Sequence, residues 1–280
     1  MIEIGKHNEL TVLRQTSVGL YLGDDAGEDV LLPNKYCPEG AGQGDRLRVF
    51  VYRDHEERKV ATTLAPKILL HGFALLKATA VSNVGAFLDW GLEKELMVPF
   101  NEQRQKITEG RWYLAYMGVD KKTDRLYAST KLDKYLQNES LTVAEGDEVD
   151  LIIMQATDLG FSVIINNAHK GLVFHNEIFR AVKVGDKLKG HVKKIREGNK
   201  IDVSLQPIGY DKSNDPNCRL IQTHLERNHG FLKISDSSSP EEIYATFGMS
   251  KKAFKKAIGS LYKQRRITIS PEGIALVASE

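Results

Sequence analysis

A mainly β chain that ends in an α+β domain is predicted by three features of the sequence. A skeleton of paired glycines recurs three times, short alternating apolar runs follow it each time, and helical periodicity takes over after residue 216. The chain has 280 residues, 41% hydrophobic and 27% charged, which is folded-protein composition and more length than one hydrophobic core usually serves.

The repeat begins at Gly19, Gly85 and Gly160, inside the runs VGLYLGD, VGAFLDWG and LGFSVIIN, and each is followed twenty-five positions later by Gly44, Gly110 or Gly185. Between the paired glycines lies a second apolar run, VLLP from Val30, LMVP from Leu96 and GLVF from Gly171. A basic residue then leads into a small-residue strand: Arg58 into KVATT, Arg125 into LYAST, Lys200 into IDVSL. In the first copy, β-branched and aromatic alternation between turn residues places strands at 9–18, 19–23, 29–33, 46–53 and 59–64. A sheet with one apolar face must close to bury it, and five strands in about 65 residues is the size of an OB barrel. Gly19 and its equivalents fit as bend glycines in strongly coiled strands. Three tandem OB barrels are therefore expected at 1–66, 67–133 and 146–207, each with its own core.

After KIDVSLQP, the residues Pro207, Gly209, Asn214, Asp215, Pro216 and Asn217 make a turn-rich connector, and a further domain is expected at 216–280. A first helix fits 219–228. Ser239 caps a second, whose first turn carries Pro240, Glu241 and Glu242, and Gly248 ends it. Ser250 caps a third, with Phe254, Ala257, Ile258, Leu261 and Tyr262 as its apolar stripe. RRITI, SPEG and IALVA then read as two strands around a turn. That order is a winged helix-turn-helix.

The third repeat, with GFSVIIN, GLVFHNEI, VGDKLKGHVKKI and KIDVSLQP, resembles the RNA-binding domain first described in ribosomal protein S1. Three such copies and a winged helix resemble the conserved virulence factor B family of bacterial RNA-binding proteins over essentially the whole chain. The resemblance implies aromatics that stack bases and basic residues that meet phosphates. By position these are Tyr21 and Phe87 after the bend glycine, Phe174 with its neighbour His175 at the end of the third strand, and the pre-strand Arg58, Arg125 and Lys200. The family's other positions have changed: Ser162 replaces the aromatic in the third copy, Pro33 and Pro99 replace the histidine, and Val18, Val84 and Leu159 replace the aromatic before the glycine.

Charge adds a fourth surface. The chain has 39 basic and 37 acidic residues, but from Ser250 onward there are seven basic residues and two acidic ones. Lys252, Lys255, Lys256, Lys263 and Arg265 are expected to contact phosphates. No phosphate-binding loop, nucleophile elbow, zinc motif or cysteine–histidine cluster is present, so no catalytic residue, metal or cofactor is assigned. Asp24, Asp25, Glu28 and Asp29 read as a turn between strands rather than a cation loop. Two cysteines, Cys37 and Cys218, and no long apolar segment fit a cytoplasmic protein without membrane or small-molecule substrate. The expected function is non-catalytic binding of single-stranded RNA, carried by the ribosome or an mRNA, in post-transcriptional regulation. The competing reading is a DNA-binding transcription regulator acting through the third helix.

Overall fold

A computed structural model describes residues 1–24, 26–178, 181–206 and 216–277. The connector residues Pro207, Gly209, Asn214 and Asp215, together with Asp25, lie outside the described residues. Two compact units divide the chain, residues 1–207 and residues 208–280.

The first unit begins with strands β1 (His7–Thr16), β2 (Gly19–Gly23), β3 (Asp29–Pro33), β4 (Arg46–Arg53) and β5 (Lys59–Thr62), which close into a barrel in the order β1-β2-β3-β5-β4. Strand β1 stops at Thr16 instead of residue 18, because Ser17 and Val18 form the turn that brings Gly19 opposite Thr16. The second set is β6 (Phe73–Val81), β7 (Gly85–Asp89), β8 (Leu96–Pro99), β9 (Trp112–Val119) and β10 (Leu126–Ser129), a five-stranded sheet in the same winding whose ladder is open between β8 and β10. The third, β11 (Glu148–Thr157), β12 (Gly160–Ile165), β13 (His169–Phe174), β14 (Lys187–Arg196) and β15 (Lys200–Ser204), closes again.

The bend glycines have a direct steric cause. Gly19, Gly85 and Gly160 have φ near 150° (151, 153 and 152°), and a Cβ on them would sit 2.1, 2.4 and 2.0 Å from the carbonyl oxygens of Leu32, Val98 and Val173. Only glycine adopts that backbone at no side-chain cost.

Each barrel has its own core, with Leu22, Leu32 and Val51 in the first and Leu151, Ile153 and Val163 in the third, and further apolar packing joins neighbouring barrels. Phe50, Tyr52 and Val60 of the first barrel pack into the second barrel's core, with the Phe50 and Tyr52 rings edge-on to Trp90 at 5.7 and 6.1 Å. Phe73, Leu114 and Tyr116 of the second pack against Ile152, Met154 and Ile164 of the third. These apolar side chains sit on outward faces of strands, where alternation within one barrel assigns them to solvent.

The second unit contains α1 (Pro216–Arg227), β16 (Phe231–Leu232), α2 (Pro240–Phe247), α3 (Lys251–Lys263), β17 (Ile267–Ser270) and β18 (Gly273–Leu276), with sheet order β16-β18-β17. Ser239 forms a complete capping box with Glu242, Gly248 ends α2 with φ 64°, and the Ser250 hydroxyl accepts from the Ala253 amide. The core gathers Ile221, Leu225, Ile243, Phe254, Leu261 and Ile274. Tyr262 departs from the expected apolar stripe and is 56% exposed, since the helical rotation carries it off the arc shared by Phe254, Ala257, Ile258 and Leu261. The two-residue β16 is too short to leave a period in the sequence.

Gly85→Ala should lower folding stability by about 3 kcal/mol in chemical denaturation, from the disallowed backbone and the clash with the Val98 carbonyl. Gly42→Ala, where a Cβ meets open space, should stay within about 0.5 kcal/mol of the parent. Equal stabilities for the two variants would refute the steric account.

Candidate nucleic-acid interface

The three aromatic positions share one register. Tyr21 pairs with Arg14, Phe87 with Ala80 and Ser162 with Gln155, each at a bulge in the long first strand. Tyr21 is half-buried and its ring is covered by the Arg14 guanidinium at 4.0 Å, itself held by Asp29 at 2.9 Å. Phe87 has alanine where that arginine stands, and its half-buried ring lines a cleft against the first barrel. Ser162 is buried, so the third barrel presents no side chain there.

The three basic positions are not equivalent. Arg58 is clamped by Asp54 at 2.7 Å and Glu56 at 2.8 Å, both from its own hairpin. Arg125 is held at 3.1 Å by Glu57, which reaches across from the first barrel and also takes Lys94 at 3.0 Å. Lys200 is exposed and has no carboxylate partner among the described residues. It borders a groove of about 400 Å³ with Lys170, Arg196 and Asn138. Across the hairpin from Lys200, Arg196 pairs with Asp202 at 2.8 Å and lies over the Phe174 ring at 5.8 Å. Phe174 is half-buried, and the exposed His175 that follows it stands edge-on to Phe161 at 6.3 Å.

One wall of this groove is a segment to which the sequence assigned no role. Residues 132–138 strap the second barrel to the third. Tyr135 stacks on Tyr116 at 3.8 Å and donates its hydroxyl to Glu102 at 2.8 Å, while Lys134 pairs with Glu102 at 2.6 Å. Asn138 bonds through its amide to Lys170 N and O (2.9 and 2.8 Å) and to Asn199 O (2.9 Å). Fully buried His169 joins in: its Nε2 accepts from the Thr142 amide, and its Nδ1–H donates to Gln137 O at 2.6 Å, a tautomer inferred from those partners. These contacts span some thirty residues and follow no local pattern.

The acidic run around Asp24 is a turn, as expected. Asp24 accepts from the amides of Ala26 and Glu28 and meets the N-terminal ammonium. Among the described residues no acidic, cysteine or histidine cluster could hold a metal ion, and no helix is long and apolar enough to cross a membrane.

On α3, Lys252, Lys255, Lys256 and Lys263 are exposed and lie on one stripe opposite the buried face, with Gly259 between them. Arg265 continues the exposed basic surface just past the helix, and Lys255 lies 3.9 Å from Asp236. Tyr262 adjoins the stripe, an exposed aromatic that the apolar pattern concealed.

Tandem OB barrels followed by a winged helix define a class of protein, and the comparisons with known sequences agree with it. Residues 4–64 match the S1 domain family model, and residues 219–276 match that of the CvfB-like winged helix domain. The first barrel thus carries the family match, although the third holds the nearer motif string. The chain is similar to the conserved virulence factor B proteins: it is 26% identical to the one from Staphylococcus aureus over 83% of this chain and 80% of that one. It is also 28% identical to YitL of Bacillus subtilis, over 94% of this chain and 90% of that one. A Streptococcus pneumoniae crystal structure described as a multidomain protein with nucleic acid binding domains is 24% identical, covering 98% of each chain with a TM-score of 0.41.

Glu102 gives the strap a pH dependence. Burial raises its carboxyl pKa, but hydrogen bonds from Lys134, Ser129 and Tyr135 outweigh this and hold it below the ordinary glutamate range. A depressed folded-state pKa contributes stability above the unfolded value and loses it as pH falls through the folded one. Between about pH 6 and about pH 3.5, the parent should therefore lose more melting temperature than Glu102→Gln. Parallel losses would show that Glu102 plays no part.

Proposed function

We propose that the protein is a non-catalytic, cytoplasmic RNA-binding protein that holds a single strand along the third barrel and clamps it with the winged helix. The observation that carries this reading is the inequality of the three pre-strand cations: Arg58 and Arg125 are neutralised by carboxylates, whereas Lys200 stays open on a groove beside Arg196 and Phe174. An unpaired ammonium attracts phosphate through counterion release, and a neighbouring aromatic and guanidinium offer faces for unpaired bases. The lysine stripe of α3, with Arg265, supplies the second phosphate surface.

Tethering two weak sites on one chain raises the local concentration of each for the other, so incomplete family positions in single barrels do not forbid useful affinity. The stripe carries lysines and a glycine rather than asparagine, glutamine or arginine at its centre, which favours backbone contact over reading of base edges in duplex DNA. We read the regulatory step as post-transcriptional, with an mRNA or the ribosome supplying the strand. Tyr21, Phe87 and His175 remain secondary stacking positions. Arg58 and Arg125 are left out of the phosphate surface, since their guanidinium groups are already engaged.

In a salt-dependent competition among single-stranded RNA, single-stranded DNA and duplex DNA of one length, the single-stranded RNA should bind tightest. Duplex DNA winning at every salt concentration would replace this reading with that of a transcription regulator.

Lys200→Ala should lower RNA affinity at low salt and reduce the slope of log affinity against log salt by about 0.7, the value for one phosphate contact on a single strand. Arg58→Ala should leave that slope unchanged. Identical behaviour of the two variants would remove the third-barrel groove from the binding surface.

A further inference from the structure

The fourth strand of each barrel opens on one repeated position, and the second barrel fills it differently. Arg46 in the first barrel and Lys187 in the third are exposed cations there, each following an aspartate. Those aspartates close the turn: the Asp45 carboxylate accepts from the Gly42 amide at 2.8 Å, and the Asp186 carboxylate from the Lys183 amide at 2.9 Å. In the second barrel the pair reads Arg111–Trp112. The backbone is the same, since Gly110 and Arg111 bond to Ala78 as Gly44 and Asp45 bond to Val12, and as Gly185 and Asp186 bond to Ile153. Another group closes the turn, however, with the Tyr113 hydroxyl accepting from the corresponding amide, that of Thr108, at 2.8 Å. An acid is thus exchanged for a base beside the tryptophan, and the turn is kept.

Trp112 is 57% exposed, although tryptophan is on average well buried. Its cross-strand partner is Lys77, and side chains directly opposite on an antiparallel pair share a face, so the ammonium stands beside the indole. Neither Lys77 nor Arg111 forms an ion pair among the described residues. Asp89, across from Lys77 on β7, is taken by Lys67. The turn adds the exposed Lys106 and a single acid, Glu109, so cations prevail around the indole. The next pair on the same face, Leu75 and Leu114, packs against Ile152, Met154 and Ile164 of the third barrel. A turn of that barrel reaches the same point, where a Cβ on Gly185 would sit 2.7 Å from the Leu75 Cβ. Trp112 therefore stands just past the edge of the inter-barrel packing, on the outer face of β6 and β9 and away from the strands that carry Phe87 and its counterparts.

We propose that Trp112 is a stacking platform for an unpaired base of RNA, with Lys77 and Arg111 meeting the phosphates on either side of that base. This rests on the RNA reading above and adds to it a contact on the second barrel. Every base has a π-face that an indole can cover, and cations beside the ring hold the charged backbone in place. A strand that occupies both this platform and the third-barrel groove gains affinity from each contact through the other.

The chain has two tryptophans and the other, Trp90, is buried, so a base on Trp112 is read directly by fluorescence. An oligoadenylate of about 30 nucleotides, more than one OB barrel covers, should quench the full-length protein saturably. In Trp112→Phe the remaining Trp90 emission should not respond. Affinity for the same RNA carrying an end label, followed by anisotropy, should fall about five-fold or more in Trp112→Ala. It should stay within about two-fold of the parent in Trp112→Phe, which keeps a stacking face. Lys77→Ala and Arg111→Ala should each lower the slope of log affinity against log salt by about 0.7. RNA that binds without quenching, that quenches Trp112→Phe as it does the parent, or that binds Trp112→Ala as tightly as the parent overturns the platform and leaves the third-barrel reading standing. Labelled RNA that binds none of these proteins overturns both.

Discussion

Everything in the first unit depends on three places where a carbonyl oxygen comes as close to a neighbouring strand as a missing side chain allows. At Gly19, Gly85 and Gly160 that oxygen lies 2.0 to 2.4 Å from where a Cβ would be. The contact lets the second and third strands of each barrel coil tightly enough for five short strands to enclose a core. It also fixes the register, and register decides which side chains face inward. Tyr21, Phe87 and Ser162 occupy one geometric position because the same glycine precedes each by two residues.

From equal geometry the barrels diverge through their neighbours. Arg58 and Arg125 stand at corresponding points of their barrels, but one is held by its own hairpin and the other by a glutamate from the barrel before it. Among the described residues no carboxylate meets Lys200 of the third barrel, which stays open. Contact between barrels therefore decides electrostatics as well as stability. The same packing makes the outward residues Phe50, Tyr52, Phe73 and Ile164 parts of cores, so the three copies pack as one body within residues 1–207.

The sequence made legible what depends on local chemistry. Glycine spacing located the barrels, and Ser239, Gly248 and Ser250 located the helix ends within a residue or two. It could not reveal groups whose meaning comes from distant partners. Glu57 resembles any hairpin glutamate until Arg125 is seen beside it, sixty-eight residues later. His169 carries no local signal of a partner, yet it is fully buried and bonded to residues 137 and 142, which fold over it. Tyr262 was misplaced for another reason: a tyrosine at the margin of an apolar arc can face either way, and only packing against α1 and α2 settles which.

Asn138 shows how far the repeats have ceased to be interchangeable. Its side-chain amide bonds to both backbone groups of Lys170 and to the carbonyl of Asn199, while the Asn199 amide donates back to Asn138 O at 2.7 Å. A side chain here does the work of a peptide group, extending the ladder before Gly171, where the parallel pairing of β13 with β15 begins. That residue lies in the strap, before the first strand of the barrel it completes. A copy of the third barrel cut at its own first strand would leave those backbone groups to water, so the smallest portable piece of this architecture is a barrel together with the tail of the one before it.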